Sequence, residues 1–100
     1  MKVVWTEHAL QCLTEIEDYI AMDNPATAVV FIDRLIRRTD ILVDQPQAGR
    51  TVPEVPGREL RELIEGNYRL VYRITGFTAE MLTIFEAHKS FNIDKTDRSI

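Results

Sequence analysis

The spacing of apolar residues changes once along this chain, at a proline-rich segment near its middle. Before that segment, apolar residues recur every three or four positions, which is the spacing of amphipathic helices. After it, apolar and polar residues alternate, which is typical of strands. The segment itself, residues 45–58, holds three of the four prolines, and we expect a long loop without regular structure there. The chain must therefore combine a helical part with a sheet.

The helical part is preceded by residues 2–5, whose β-branched and aromatic side chains predict a short first strand. The first helix is predicted from a stripe formed by Ala9, Leu10, Leu13, Ile16 and Ile20. Asn24 and Pro25 then favour the start of a second helix, from about 25 to 44. Its stripe consists of Ala28, Ile32, Leu35 and Leu42, with Val29, Ile36 and Val43 beside it. So short a break predicts an antiparallel helical hairpin.

The second half predicts a three-stranded antiparallel meander, with strands at 59–65, 68–75 and 80–88. Together with the first strand and the hairpin, this gives a single α+β domain spanning 1–100, with the helices on one face of the sheet. We expect the core to include Leu13, Ile16, Leu35, Leu70 and Tyr72. Residues 89–100 lose the pattern and are predicted to form a flexible tail.

Composition excludes several classes of protein. The net charge of −4 and the pI near 5.1 argue against a broadly cationic nucleic-acid binder. No apolar run approaches the roughly 20 residues of a membrane span, and no secretory signal is expected. Cys12 is the single cysteine, so we expect a cytoplasmic protein without an internal disulfide. The two histidines and Cys12 lack ligand spacing, so neither a metal nor a cofactor is expected.

Arginines are the strongest candidates for binding. Alternation along 68–75 places Arg69 and Arg73 on the sheet face away from the apolar residues, and Arg61 and Arg58 could join them. If the helices cover one face only, these arginines would lie exposed on the uncovered face. They could then bind phosphates or carboxylates of a partner. The alternative is pairing within the sheet, with Glu59, Glu62, Glu65 or Glu86 as partners.

Glu86 and His88 form a second candidate, two residues apart in the last predicted strand. Such a pair could provide acid–base chemistry for phosphodiester cleavage, with arginines holding the phosphate. The register of the last two strands decides whether they share a face with Arg69 and Arg73, and the sequence leaves it open. The alternative is a solvent-exposed histidine at a strand end.

Several short motifs occur together, in an order typical of one superfamily. They are Trp5 at the end of the first strand, the helix with Ala9, Leu13, Ile16 and Tyr19-Ile20, DNPATA at 23–28, Pro46, Gly49-Arg50, RELIEGNYRLVYRI at 61–74 and LTIFEAHK at 82–89. With this series, residues 3–91 resemble the RelE/ParE superfamily of toxins from type II toxin–antitoxin modules. The resemblance implies a cognate antitoxin, a role in plasmid stabilisation and growth arrest, and a toxin–antitoxin hetero-oligomer as one form of assembly. We expect the antitoxin to cover the helical hairpin and the uncovered sheet face.

Two branches of the superfamily imply different chemistry. RelE-like members cut messenger RNA on the ribosome, and Arg69 within NYRLVY matches the arginine that they use on the scissile phosphate. Such an enzyme would rely here on Arg69, Arg73, Glu86 and His88. ParE-like members bind and poison DNA gyrase, and the GRTVPE segment and the HK ending favour this branch. Its target-binding residues would be Arg58, Arg61, Arg69, Arg73, His88 and Lys89. We therefore favour a gyrase-binding toxin that is not an enzyme, over a ribonuclease or an inactivated member that only binds antitoxin.

Overall fold

The computed structural model describes residues 1–91 and arranges them as two helices against one sheet. The elements are, in order, β1 (Lys2–Trp5), α1 (Glu7–Ala21), α2 (Pro25–Arg38), a 3-10 helix (Thr39–Val43), β2 (Arg50–Thr51), β3 (Leu60–Glu65), β4 (Tyr68–Thr75) and β5 (Thr78–Glu86). The predicted α+β order is confirmed. Residues 92–100, most of the predicted flexible tail, lie outside the described residues.

Both helices begin at side-chain caps. The Thr6 hydroxyl accepts a hydrogen bond from the Ala9 N–H at 3.1 Å, and the Asn24 side-chain oxygen accepts one from the Thr27 N–H at 3.1 Å. Each cap satisfies a backbone donor that has no partner inside the helix. Pro25 occupies the first turn of α2, where its missing N–H costs nothing. The two caps explain why the hairpin begins and turns where the sequence predicts.

The second helix ends earlier than expected. We predicted a helix from about 25 to 44, but α2 stops at Arg38 and residues 39–43 form a tighter 3-10 turn. The Thr39 hydroxyl donates to the Ile36 carbonyl at 2.7 Å, which satisfies a terminal acceptor of α2 in the same way as a cap. Leu42 is nevertheless fully buried, so the 3-10 turn continues the apolar stripe with a different period.

The sheet has five strands in the order β1-β5-β4-β3-β2. The predicted meander is confirmed as antiparallel β3, β4 and β5, while β1 pairs parallel with β5. Gly66 and Gly76 occupy the two tight turns with φ of 57° and 60°, the left-handed region that glycine tolerates. The register of β4 and β5 shifts between Val71 and Tyr72, which identifies a β-bulge. Contrary to expectation, the 45–58 loop contains one short strand, β2, because residues 50–51 pair with β3.

The helices cover one face of the sheet and form the larger core. Every predicted core residue is buried in this single cluster: Leu13, Ile16, Leu35, Leu70 and Tyr72. Some stripe residues are not buried, and Leu10, Val29, Ile36 and Val43 are 51%, 64%, 41% and 46% exposed. The predicted stripes were too wide, because each helix of a two-layer hairpin has only one row that reaches the sheet.

The other face of the sheet is not uncovered, and this corrects the expectation of an exposed arginine surface. A second, smaller core lies there and consists of Val52, Leu60, Val71, Leu82 and Phe91, with Val55 and Phe85 packed against it. Val52 and Val55 belong to the predicted loop, and Phe91 comes from beyond β5. The proline-rich loop therefore acts as a cover over the second face. Among the described residues, no helix is long and apolar enough to cross a membrane.

Candidate target-binding surface

Arg69 is the centre of a charged cluster on the second face of the sheet. Alternation along β4 places Tyr68 and Leu70 in the helical core, so Arg69 points the other way. The side chain is 4% exposed, although arginine is almost never fully buried without partners. Its surroundings must therefore supply the compensating groups.

Two carboxylates and one carbonyl supply them. Glu54 binds the guanidinium of Arg69 through both oxygens, each at 2.7 Å, in the bidentate geometry that suits arginine. Glu62 accepts from Nε at 2.8 Å and lies 2.7 Å from Nη2. The Lys89 carbonyl accepts from Nη1 at 2.9 Å, and the guanidinium carbon lies 4.7 Å from the centre of the Phe85 ring. These contacts engage all five N–H donors of the side chain.

The two carboxylates are themselves held in place. The Glu62 side chain is fully buried and also pairs with Arg50, at 2.6 Å. Glu54 also accepts the Phe91 N–H at 2.8 Å, so one carboxylate joins the loop, the sheet and the segment after β5. The hydrogen bonds from Arg69 lower the pKa of Glu54 from 4.5 to about 2, against the opposing effect of burial. The same bonds raise the pKa of Arg69, which stays charged. We call Arg69, Glu54, Glu62 and Arg50 the Arg69 cluster.

The structure separates the remaining predicted arginines. Arg73 lies on the same face as Arg69 but four residues along β4, on the order of 13 Å away, and its Nε donates to Glu80 at 2.8 Å. Arg61 lies on the helical face beside Tyr72, opposite to the expectation, because Glu62 is the residue of this pair that faces Arg69. Arg58 lies in the loop before β3, at the end of the sheet near Arg73. The four arginines therefore do not form one group: only Arg69 and Arg73 share a face, and each of the two pairs with a different carboxylate.

Glu86 and His88 are also placed differently from the prediction. β5 ends at Glu86, so His88 lies in the following turn and not in the strand. The two side chains are 3.4 Å apart, and the Lys89 ammonium is 3.7 Å from Glu86. Glu86 lines a groove beside α1 with Ile16 and Tyr19, on the helical face of the sheet. Glu86 therefore faces the helices, whereas the guanidinium of Arg69 lies on the other face of the sheet.

The two remaining side chains with reactive groups that we considered, His8 and Cys12, lie close to each other on α1. The His8 ring lies 3.1 Å from the Thr83 hydroxyl and 3.6 Å from the Cys12 sulfur. Within residues 1–91, no three side chains of the metal-binding types come together.

Glu54 is the residue of the cluster that sequence reasoning missed. It lies between two prolines in a loop, and nothing in its spacing points to Arg69. Glu62 carries more signal, since it alternates with Leu60 and was one of the acids considered as a cross-strand partner. That alternative is confirmed for the Arg69–Glu62 pair. A second expected acid, Glu65, pairs instead with Arg34 and Arg38 of α2.

Comparisons with known proteins identify one family model and two related toxins. The model of the ParE toxin of the type II toxin–antitoxin system parDE matches residues 3–90. "Putative toxin Y4kP" of Sinorhizobium fredii is 35% identical over 94 residues, covering 90% of this chain and 92% of that protein. "Toxin RelE2" of Caulobacter vibrioides is 40% identical over 63 residues, covering 63% of this chain and 67% of that protein.

A solved structure supports the same fold. A chain of "Chromosomal ParDE TA system from P. aeruginosa" superposes with a TM-score of 0.73 at 24% identity, covering 88% of this chain and 97% of that one. The extent of the family match, over almost the whole described chain, agrees with the motif order found in the sequence. The chain belongs to the ParE toxin family of type II toxin–antitoxin systems.

Proposed function

We propose that this chain is a cytoplasmic toxin that inhibits DNA gyrase by binding to it, without catalysing a reaction, and that a cognate antitoxin neutralises it. Family membership supports the toxin role and the antitoxin. The observation that favours binding over RNA cleavage is that Arg69 is buried and paired with two carboxylates. The residue that would hold a scissile phosphate is a buried structural residue in this chain.

The contacts of Arg69 explain why it is a poor phosphate ligand. A phosphate would have to displace Glu54 or Glu62, and each already makes charge-assisted hydrogen bonds at 2.7–2.8 Å. The displaced carboxylate would stay next to the incoming anion, so the two negative charges would repel each other. Electrostatic catalysis needs donors that are aimed at the developing charge and available to it. Arg69 fails the second condition.

The positions of Glu86 and His88 also favour binding over RNA cleavage. Glu86 lies at the end of β5 on the helical side of the sheet and His88 lies in the turn that follows, whereas Arg69 points to the other side. A general acid or base must come within hydrogen-bond reach of the atom it protonates or deprotonates. A phosphate near His88 would receive no help from Arg69 in this arrangement. The geometry therefore supports a toxin that acts through a contact surface.

The helices offer a surface for the antitoxin. Five apolar side chains of α1, α2 and the turn between them are more than half exposed: Leu10, Tyr19, Met22, Val29 and Val30. Exposed apolar residues that lie together often mark a protein interface. Because the second sheet face is already covered, we expect the antitoxin to bind the helical hairpin and not that face.

Purified toxin, separated from its antitoxin, would test the proposal in two parallel assays. The first measures supercoiling by gyrase, and the second measures cleavage of a message during translation by primer extension. We expect wild-type toxin and His88→Ala to inhibit supercoiling equally, and neither to cut the message. Arg37→Ala serves as a surface control because Arg37 is exposed on α2 and pairs with Asp33 of the same helix.

Two other outcomes of these assays would contradict the proposed gyrase inhibition. Message cleavage by wild-type toxin that disappears in a folded His88→Ala variant would establish the ribonuclease. Loss of a general acid or base lowers a rate by about 10²–10⁴. Antitoxin binding without an effect in either assay would instead indicate an inactive member of the family.

A further inference from the structure

A cavity of about 410 Å³ lies at the end of the sheet remote from Glu86. Its walls come from the loop before β3, from β2 and from the facing ends of β3 and β4. The residues that determine its chemistry are Gln47, Thr51, Arg58, Glu59, Arg61 and Ile74. Two guanidinium groups and one carboxylate thus surround it, together with an amide and a hydroxyl. None of these groups belongs to the Arg69 cluster.

Arg61 differs from the five described arginines that form close ion pairs. Arg34, Arg37, Arg50, Arg69 and Arg73 all have a carboxylate oxygen within 2.8 Å. Arg61, in contrast, contacts backbone carbonyls: its Nη1 donates to Gly49 at 2.8 Å and lies 3.4 Å from the Gln47 oxygen. Within residues 1–91 Arg61 forms no ion pair.

Tyr72 holds the loop whose backbone carbonyls bind Arg61. The Tyr72 hydroxyl donates to the Pro46 carbonyl at 2.7 Å and accepts the Gly49 N–H at 2.9 Å. A β-carbon at Gly49 would lie 2.7 Å from the Tyr72 ring, so only glycine permits this close approach. The carbonyls that hold Nη1 are therefore part of a rigid loop. Arg61 lines the cavity with Nη1 held by the loop, and its Nε and Nη2 make no hydrogen bond or ion pair within residues 1–91.

We propose that this cavity binds one carboxylate side chain of the protein that the toxin targets. The inference rests on the proposed function, in which the target is a protein. The Nε–H and Nη2–H of Arg61 form the fork that binds both oxygens of a carboxylate. Thr51 and Gln47 bring further hydrogen-bonding groups to the same space. A fixed guanidinium loses little conformational freedom on binding, which favours affinity.

A carboxylate fits the cavity better than a nucleic-acid backbone does. Glu59 lies in the wall and would repel a second or more highly charged anion. Nucleic-acid binding also needs several basic residues along a continuous surface, and this chain has a net charge of −4.

The first experiment uses a blocked tetraglutamate peptide as the probe and measures the Nε–Hε signal of Arg61 by NMR. We expect saturable shifts with tetraglutamate and none with blocked tetraglutamine. The shifts elsewhere in the cavity should vanish in Arg61→Gln and persist in Arg37→Gln, which changes the charge equally on the far side of α2. Arg61→Lys keeps the charge but not the fork and should bind more weakly than wild type.

The outcomes of this experiment are distinct. Absence of shifts with tetraglutamate, or equal shifts in Arg61→Gln and wild type, would overturn the proposal. A single-stranded DNA oligonucleotide that shifts Arg61 when tetraglutamate does not would also overturn it, in favour of a phosphate site. The wild-type titration needs no variant, so a failure of Arg61→Gln to fold would not obscure the answer.

The second experiment applies the same variants to gyrase. We expect Arg61→Gln to raise the toxin concentration for half-inhibition by roughly tenfold or more, as the loss of charge-assisted hydrogen bonds predicts, and Arg37→Gln to leave it unchanged. Equal inhibition by Arg61→Gln and wild type would overturn the proposal while the proposed function stands. If wild-type toxin does not inhibit gyrase at all, the proposed function fails, and the peptide titration still decides whether the cavity binds a carboxylate.

Discussion

The two faces of the sheet are stabilised by different kinds of interaction. The helical face buries apolar side chains from α1, α2 and the central strands, whereas the second face combines a small apolar core with the Arg69 cluster. Apolar packing tolerates changes of shape better than a buried ion network tolerates the loss of one member. The second face should therefore be the more sensitive of the two to a single substitution.

The comparison of the two faces also changes the role that we assign to Arg69 in β4. An arginine in a strand opposite the core was expected to serve a partner, but Arg69 joins the loop to the sheet and to the segment after β5. Arg61, on the helical face, forms no ion pair within residues 1–91 and contacts backbone carbonyls instead. Burial and partners, and not position in a strand, thus decide which arginine is structural and which one can bind.

The largest effect is expected from Arg69→Ala. Removal of the guanidinium leaves Glu54 without its main partner and the buried Glu62 with Arg50 alone. Breaking a buried ion pair from one side costs about 3–5 kcal/mol. Urea unfolding at pH 7 should show this loss, while Arg37→Ala on the exposed side of α2 should change the unfolding free energy by less than about 1 kcal/mol. A similar small change for both variants would contradict the role of the cluster.

A slightly smaller effect is expected in the helical core. Leu35 and Leu70 are both fully buried, and truncation to alanine at such sites costs about 2–5 kcal/mol. Each variant should lower the melting temperature sharply. Leu10→Ala is the matched control because Leu10 is 51% exposed, and its change should stay within about 0.5 kcal/mol. An unchanged melting temperature for both core variants would rule out this core.

The pH dependence of stability sharpens the comparison between the faces. The pKa of Glu54 is about 2 in the folded chain and 4.5 for the ordinary group, so the folded state binds fewer protons between these values. Its contribution to stability is therefore present above pH 4.5 and is lost as the pH falls towards 2. Glu54→Gln should be less stable than wild type at pH 7 by on the order of 2 kcal/mol.

Urea unfolding of both proteins from pH 7 down to pH 3 measures that difference. Because Glu54→Gln lacks the titrating group, the gap between the two proteins should narrow as Glu54 becomes protonated. Other carboxyl groups titrate equally in both proteins and cancel in the comparison. A gap that stays constant over this range would mean that Glu54 is not held by Arg69.

The smallest effect is expected for Tyr72→Phe. The substitution keeps the ring in the helical core but removes the hydroxyl that holds Pro46 and Gly49. Two backbone groups lose a partner, and each costs about 1–3 kcal/mol only if water cannot replace it. We expect a total near the lower end of that range, together with faster hydrogen exchange at the Gly49 N–H. Unchanged exchange there would show that the tyrosine does not fix the loop.

Periodicity predicted most of the fold but little of the candidate site. The start of the second helix followed from Asn24 and Pro25, and the meander from the alternation around Tyr72. The Arg69 cluster was not predictable, because Glu54 approaches Arg69 only after a long loop folds across the sheet. Local sequence contains no information on such a distant contact beyond the charges themselves. The sheet face on which Arg61 lies was predicted wrongly for a related reason. The register of β3 against β4 determines that face, and the sequence alone does not give the register.

The central claim is that Arg69 holds the fold together and does not serve as an RNA ligand. The most direct measurement is NMR of the arginine Nε–Hε groups, which compares hydrogen exchange at Arg69 with that at the exposed Arg37 in the intact toxin. Because Nε of Arg69 donates to the buried Glu62, we predict strongly slowed exchange at Arg69 and no change when a short RNA is added. Exchange at Arg69 as fast as at Arg37, with a shift of its signal on addition of RNA, would contradict the account.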